Sequence, residues 1–261
     1  MKHDFKIILL LVLLFIVAQF IGLLILNKLM HEELAFGIQR PDLEKETSFI
    51  YIFLAIIIVT IVALIIARFN AIRLWKFWFS VSMILVLTIA LSAFINQYFA
   101  FFISLFGAYF KIIRPNILVH NLTELFVYGG LAALFVPVLN LFSISILLLL
   151  IAVYDAIAVW KTGHMIKLAK FQSKLKLFTG FFIPYGKKRA AILGGGDIGF
   201  PLLFSGVVVN EFGYSGLVVP LITGLSLFLL LYFGNKNRFY PAMPFLTLGC
   251  FVGYFLLRMI Y

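Results

Sequence analysis

Nine apolar stretches, at about 5–27, 49–67, 75–95, 98–113, 122–139, 141–160, 190–210, 214–233 and 241–258, take up most of this 261-residue chain. Each holds about 16–23 residues, enough to cross roughly 30 Å of hydrocarbon. Charged residues make up only 12% and hydrophobic residues 64%, whereas a soluble domain carries roughly 25% charged residues. Within lipid only helices and closed barrels satisfy their own backbone, and runs this long select helices. The expected fold is all-α, a polytopic bundle of nine transmembrane helices. It divides into six helices over 1–160, a basic cytoplasmic loop over 161–189 and three helices over 190–261. The first run exceeds a signal-peptide core of roughly 7–15 residues and lacks a small-x-small cleavage site, so it is expected to be an anchor.

Loop charge sets the orientation. With the N-terminus inside, seventeen of the 21 Lys and Arg residues fall on inner segments, and only Lys28, Arg40, Lys45 and Arg258 fall outside. Such a bias predicts a cytoplasmic N-terminus and an outer C-terminus. Trp75, Trp78 and Trp160 lie at inner segment ends, as interfacial anchors do. The net charge of +11 is then orientation and attraction to anionic lipid rather than nucleic-acid binding. In the basic loop, Lys167, Lys170 and Lys174 share one helical face and Leu168, Phe171 and Leu175 another. That pattern predicts a short helix on the inner leaflet.

Position accounts for eight of the ten acidic residues. Asp4 is in the tail, Glu32, Glu33, Asp42, Glu44 and Glu46 are in the first outer loop, and Glu211 is at an outer end. Glu124, near His120 and Arg114, is expected to reach the inner interface. Asp155 and Asp197 remain, each inside an apolar stretch, where a carboxylate costs at least a few kcal/mol and marks a functional site. Asp155 is six residues from Lys161 and Asp197 eight from Arg189, or about 9 and 12 Å at the helical rise. Both reach the inner half of the membrane. Gly194, Gly195 and Gly196 precede Asp197 and Pro201 follows it, loosening that helix. Two carboxylates held together share a proton near neutrality. One can then take a proton from water while the other gives one to a carbonyl oxygen. Bracing of a helix pair would need only Ser or Asn.

Other motifs carry less. Gly194 to Gly199 fits G-x-G-x-x-G but has no preceding strand or soluble βαβ unit in this reading, so no dinucleotide site follows. His31-Glu32-Glu33 begins like a zinc motif and lacks the second His. The single Cys250 excludes a disulfide framework. No metal and no cofactor is expected. The Asn121-Leu122-Thr123 sequon falls on the inner side and is expected to be unused. His164 reads as an interfacial residue.

Tyr154-Asp155 on one segment and the G-x-G-D of Gly194, Gly196 and Asp197 on the next resemble the presenilin and signal peptide peptidase family of intramembrane aspartyl proteases. Pro241-Ala242-Met243 at the head of the last segment is similar to that family's P-A-L motif, with Met243 in place of Leu. The resemblance implies catalysis by Asp155 and Asp197. It implies that Tyr154, Gly194, Gly195, Gly196, Pro241, Ala242 and Met243 shape the site or bind substrate. The implied substrates are transmembrane helices of other proteins in the cell membrane, unwound before cleavage, and compact loops resemble a microbial member. Two rivals remain from the residues: a prepilin-peptidase-like protease, which shares G-x-G-D, and a proton-coupled transporter using the two acids as a relay. The transporter predicts two similar halves with broken helices, and no repeat is evident.

Overall fold

The structure, a computed structural model, describes residues 4–162, 177–185, 189–235 and 240–260. Its helices are α1 (Phe5–Leu29), α2 (Ser48–Arg68), α3 (Ile72–Ser92), α4 (Gln97–Ile112), α5 (Ile117–Phe135), α6 (Leu141–Ile157), α7 (Gly195–Phe212), α8 (Val218–Phe233) and α9 (Met243–Ile260). A β-hairpin of β1 (Gly180–Tyr185) and β2 (Arg189–Gly194) lies between α6 and α7. The basic leaflet helix expected over 167–175, and His164, lie outside the described residues.

Asparagines set three of the helix starts. The side chains of Asn96 and Asn116 accept from the Tyr98 amide at 3.0 Å and the Leu118 amide at 2.9 Å. Asn140 and Ser143 cap each other reciprocally at the start of α6, at 2.8 and 3.0 Å. Each cap satisfies amides that a helix start leaves without a partner. α5 therefore begins five residues before the predicted 122. The polar His120 and Asn121, which read as loop, belong to the helix.

Among the described residues, seven stretches are long and apolar enough to cross a membrane, and the protein is a multi-pass membrane protein. One of them, Gly195–Phe233, holds two predicted segments joined by the tight turn Gly213–Leu217. α4 and α8, at 16 residues each, are the shortest of these helices. The seventh predicted span is corrected at its start. Residues 189–194 are strand rather than helix, so α7 begins at Gly195 and Asp197 stands in its first turn, not midway along a weakened helix. The helical-rise depth for Asp197 does not apply across a strand, which rises roughly 3.3 Å per residue. The all-α expectation holds for the bundle and misses the hairpin.

α1 runs through the core, burying Ile8, Leu11, Phe15 and Ala18 completely, and packs on α5, α7 and α8. With lipid outside, helix association relies on close packing rather than on a hydrophobic drive. Gly22 of α1 and Gly129 of α5 meet so closely that a Cβ on Gly129 would stand 3.1 Å from the Gly22 Cα. On the other side of α5, a Cβ on Gly130 would fall 2.2 Å from the Val86 carbonyl oxygen of α3. Backbone cannot yield as a flexible side chain can. Gly130→Ala should therefore cost about 1–3 kcal/mol and lower the unfolding midpoint in detergent by about 2–4 °C per kcal/mol. Gly199→Ala, whose Cβ would meet Tyr128 at an ordinary 3.6 Å, should leave the midpoint within a degree or two on the same scale. Equal midpoints for the two variants would show that the α3–α5 approach is not tight.

Candidate active site

α6, α7 and α9 pack on one another, and each brings part of the site. Asp155 stands near the end of α6, buried, before a π-helical turn over Ala158–Thr162. Its Oδ2 accepts from the Met243 amide at 3.1 Å. The reason lies in the start of α9. Ala242 supplies the first helical carbonyl, accepting from Phe245 and Leu246, both at 3.1 Å. Met243 is then the first helical residue, with an amide no helical carbonyl can reach. Pro244, next in line, has no amide to satisfy. That orphan donor points at Asp155, and the Ala242 amide joins it there. Pro241 and Met243 are buried and Ala242 half-buried. Tyr154 is half-buried beside Asp155.

Asp197 is half-buried in the first turn of α7, again at the amide end of a helix, where a negative charge is favoured. Gly194 caps the helix in extended conformation. A Cβ there would lie 3.1 Å from Asp197 Oδ2, so the carboxylate folds back over Gly194. A Cβ on Gly195 would crowd the Tyr128 hydroxyl at 3.0 Å, whereas Gly196 is exposed with nothing closer than 3.5 Å. Space therefore demands glycine at 194 and 195 more than at 196. Pro201, one turn on, has no amide to donate to the Asp197 carbonyl. From α1, the buried Gln19 donates to the Ile198 carbonyl at 2.9 Å and ties this turn to the core.

The hairpin that leads into α7 is held by one face of α5. Asn121 pairs with Phe182 twice, donating to its carbonyl at 2.9 Å and accepting from its amide at 3.0 Å. His120 Nε2 donates to the Gly180 carbonyl at 2.8 Å, and Glu124 Oε2 accepts from the Gly180 amide at 2.7 Å. Residues 180 and 182 thus turn their polar groups to α5, leaving 181, 183 and 185 to bond β2 in an antiparallel ladder. The Gly195 amide then donates to the Thr179 carbonyl at 3.0 Å, closing the hairpin onto the head of α7.

Glu124 is the main correction to the sequence analysis. It is buried instead of reaching the interface, and its partners are the equally buried Lys111 of α4 and the Tyr128 hydroxyl. Arg114 is not among its hydrogen-bond or ion-pair partners. Asn121, expected only as an idle sequon, holds a strand. The available signal was the spacing of His120, Glu124 and Tyr128, four residues apart on one helical face. Among the described residues no three His, Cys, Asp or Glu side chains converge as metal ligands would.

Residues 12–193 match the family described as "Signal-peptide peptidase, presenilin aspartyl protease". Two solved structures, each described as a presenilin family intramembrane aspartate protease, have the same fold. The one in space group C222 is 23% identical, covers 97% of this chain and 99% of its own, and superposes with a TM-score of 0.65. The one in P2 is 20% identical, covers 99% of this chain and 100% of its own, with a TM-score of 0.69. No curated protein matches the sequence.

Asn121→Ala should strip both hydrogen bonds from Phe182. Leaving a buried amide and carbonyl without partners costs about 1–3 kcal/mol. Amide exchange in a peptide covering 177–185 should then rise by about fivefold or more at an unchanged fold. Wild-type exchange there would show that β1 is held without Asn121.

Proposed function

The chain belongs to the signal peptide peptidase and presenilin aspartyl protease family, and from that premise we propose that it is an endopeptidase cutting peptide bonds inside transmembrane helices, with Asp155 and Asp197 as the catalytic pair. One observation carries the proposal. Asp155 is fixed by the head of α9 while Asp197 forms part of the head of α7, on three helices that pack together. One carboxylate takes a proton from water, whose oxygen bonds to the scissile carbonyl carbon. The other protonates the carbonyl oxygen. As the C–N bond breaks, the first carboxyl gives its proton to the departing amine and a hydroxyl of the tetrahedral intermediate returns one to the second, which restores a singly protonated pair.

The proposal includes nine crossings in the cell membrane with the N-terminus cytoplasmic, the basic segment between the two bundles facing the same side, and lipid around the whole. Tyr154, Gly194, Gly195, Gly196, Pro241, Ala242 and Met243 shape the site. The substrate meets it as an extended strand. With 181, 183 and 185 bonding β2, the outer edge of β2 presents Ala190, Ile192 and Gly194. Among the described residues no hydrogen bond joins another segment to that edge, and Ile192 is 43% exposed. A strand added there carries its scissile bond toward Asp197 in the residues that follow, the recognition mode of strand addition.

Asp155→Asn and Asp197→Asn should each remove cleavage of a single-span peptide while leaving the fold intact, and the double variant should be no worse. Rate against pH should be bell-shaped, because only the singly protonated pair is competent. Product masses from either single variant that match the wild type would defeat the pair mechanism.

The edge of β2 can take a strand running either way, and the resemblance to presenilin supplies the direction. With the enzyme N-in, the preferred substrates should be single-span proteins whose N-terminus is outside, cut in their inner half. The check is one transmembrane sequence presented in both orientations, with products sized. Equal cleavage of both, or preference for the N-in version, would refute the direction and leave the pair untouched.

A further inference from the structure

The buried ion pair of Lys111 and Glu124 takes no part in the proposed hydrolysis, yet it sits in the membrane-spanning core, where charge is costly. Both side chains are at most 2% exposed. The work is divided between the two carboxylate oxygens. Oε1 faces Lys111, whose ammonium also lies 5.3 Å from the centre of the Phe79 ring of α3. Oε2 accepts from the Tyr128 hydroxyl and from the Gly180 amide. Tyr128 in turn stands against Gly195 and Gly199, on either side of Asp197 in the α7 head, and is within electrostatic reach of Asp197. Lys111 compensates the charge, and Oε2 touches both pieces of backbone that lead to Asp197.

We propose that Glu124 is a positioning residue: through Gly180 it fixes the start of β1, and through Tyr128 it fixes the glycine turn that carries Asp197. The role of Asp197 rests on the function proposed above; the anchoring of the hairpin does not. A charged pair is retained here because one acceptor has to serve an amide and a phenol at once, which a carboxylate oxygen does better than a neutral group. The Lys111 cation on the far side compensates the carboxylate's charge in an apolar bundle.

Three variants separate this from a purely structural ion pair. Lys111→Met with Glu124→Leu replaces the pair by apolar residues of similar volume, a change that often leaves stability unaltered. Lys111→Gln with Glu124→Gln removes both charges but keeps an acceptor for Gly180 and Tyr128, with the two amides able to bond each other. Tyr128→Phe removes a single hydroxyl. Each full-length protein is assayed for amide exchange in peptides covering 177–185 and 189–197, and for cleavage of a single-span peptide. The apolar pair should lose hairpin protection by about fivefold or more and cleave more slowly by about 10- to 100-fold. The Gln pair should keep most of the protection and cleavage that the apolar pair loses, while falling short of wild type. Tyr128→Phe should speed exchange in 189–197 and slow cleavage by about 3- to 10-fold.

An apolar pair that matches wild type in exchange and cleavage overturns the proposal, and so does a Gln pair as impaired as the apolar one. Wild-type exchange and cleavage in Tyr128→Phe overturn it whether or not the double variants fold. If the unaltered protein cleaves nothing, the protease assignment fails, and the exchange comparison still decides the anchoring.

Discussion

Extended backbone packed into a membrane bundle must find a partner for each polar group along an edge that the bundle covers, because neither lipid nor an apolar helix face offers one. β1 meets that demand with side chains. Asn121 imitates a neighbouring strand by donating to and accepting from Phe182, and His120 and Glu124 do the same for Gly180. Even the proline of β1 conforms. Pro184 is in register with Ala190 and shares the outward alternation of 180 and 182, at a position where no amide is required. A polar face on an otherwise apolar helix, an ion pair far from water and a tyrosine against a glycine turn follow from one requirement, that of holding a strand. The same strand fixes where α7 starts, through the bond from the Gly195 amide to the Thr179 carbonyl.

The long helices were legible because apolar runs of this length have few other solutions. Their starts were less legible where a capping asparagine stands several residues before the apolar run, as Asn116 does for α5. The hairpin could not be read from pattern. Arg189–Gly194 is apolar and continuous with α7, so a hydropathy window joins it to the helix. Its six residues are too few to separate a buried strand from a helical turn by period. What marks it as strand is its pairing with β1, which the polar face of α5 holds from more than fifty residues away in sequence. Position along the chain was also a poor guide to Glu124, which looked near enough to an interface to be dismissed. Its partner Lys111 lies across the α4–α5 turn, and nothing in the spacing of the two shows that both turn inward.

The site divides differently. Asp155, Asp197 and the Pro241–Met243 element stand out in sequence because carboxylates and paired prolines are rare in apolar stretches. How they meet does not stand out, because it depends on which backbone amides remain unbonded when helices begin. At α9 the first amide is orphaned, the second position is proline and the third bonds back to Ala242. Met243 is left to find an acceptor, and Asp155 supplies it, taking the Ala242 amide as well.

Each acid is met by the amide end of a helix, although the two come from opposite ends of their own helices. Asp155 is near the C-terminal end of α6, where the helix dipole disfavours a negative charge. It is compensated by the amide end of α9. Asp197 sits at the amide end of its own helix. A membrane bundle that holds two carboxylates has little water to spread their charge, and helix starts are the densest source of unpaired N–H donors that the backbone can bring. This explains why both carboxylates stand where helices begin. It also explains why the chain turns to strand immediately before Asp197: a helix continued back through residues 189–194 would have spent the α7 amides on its own carbonyls and left Asp197 in mid-span with none.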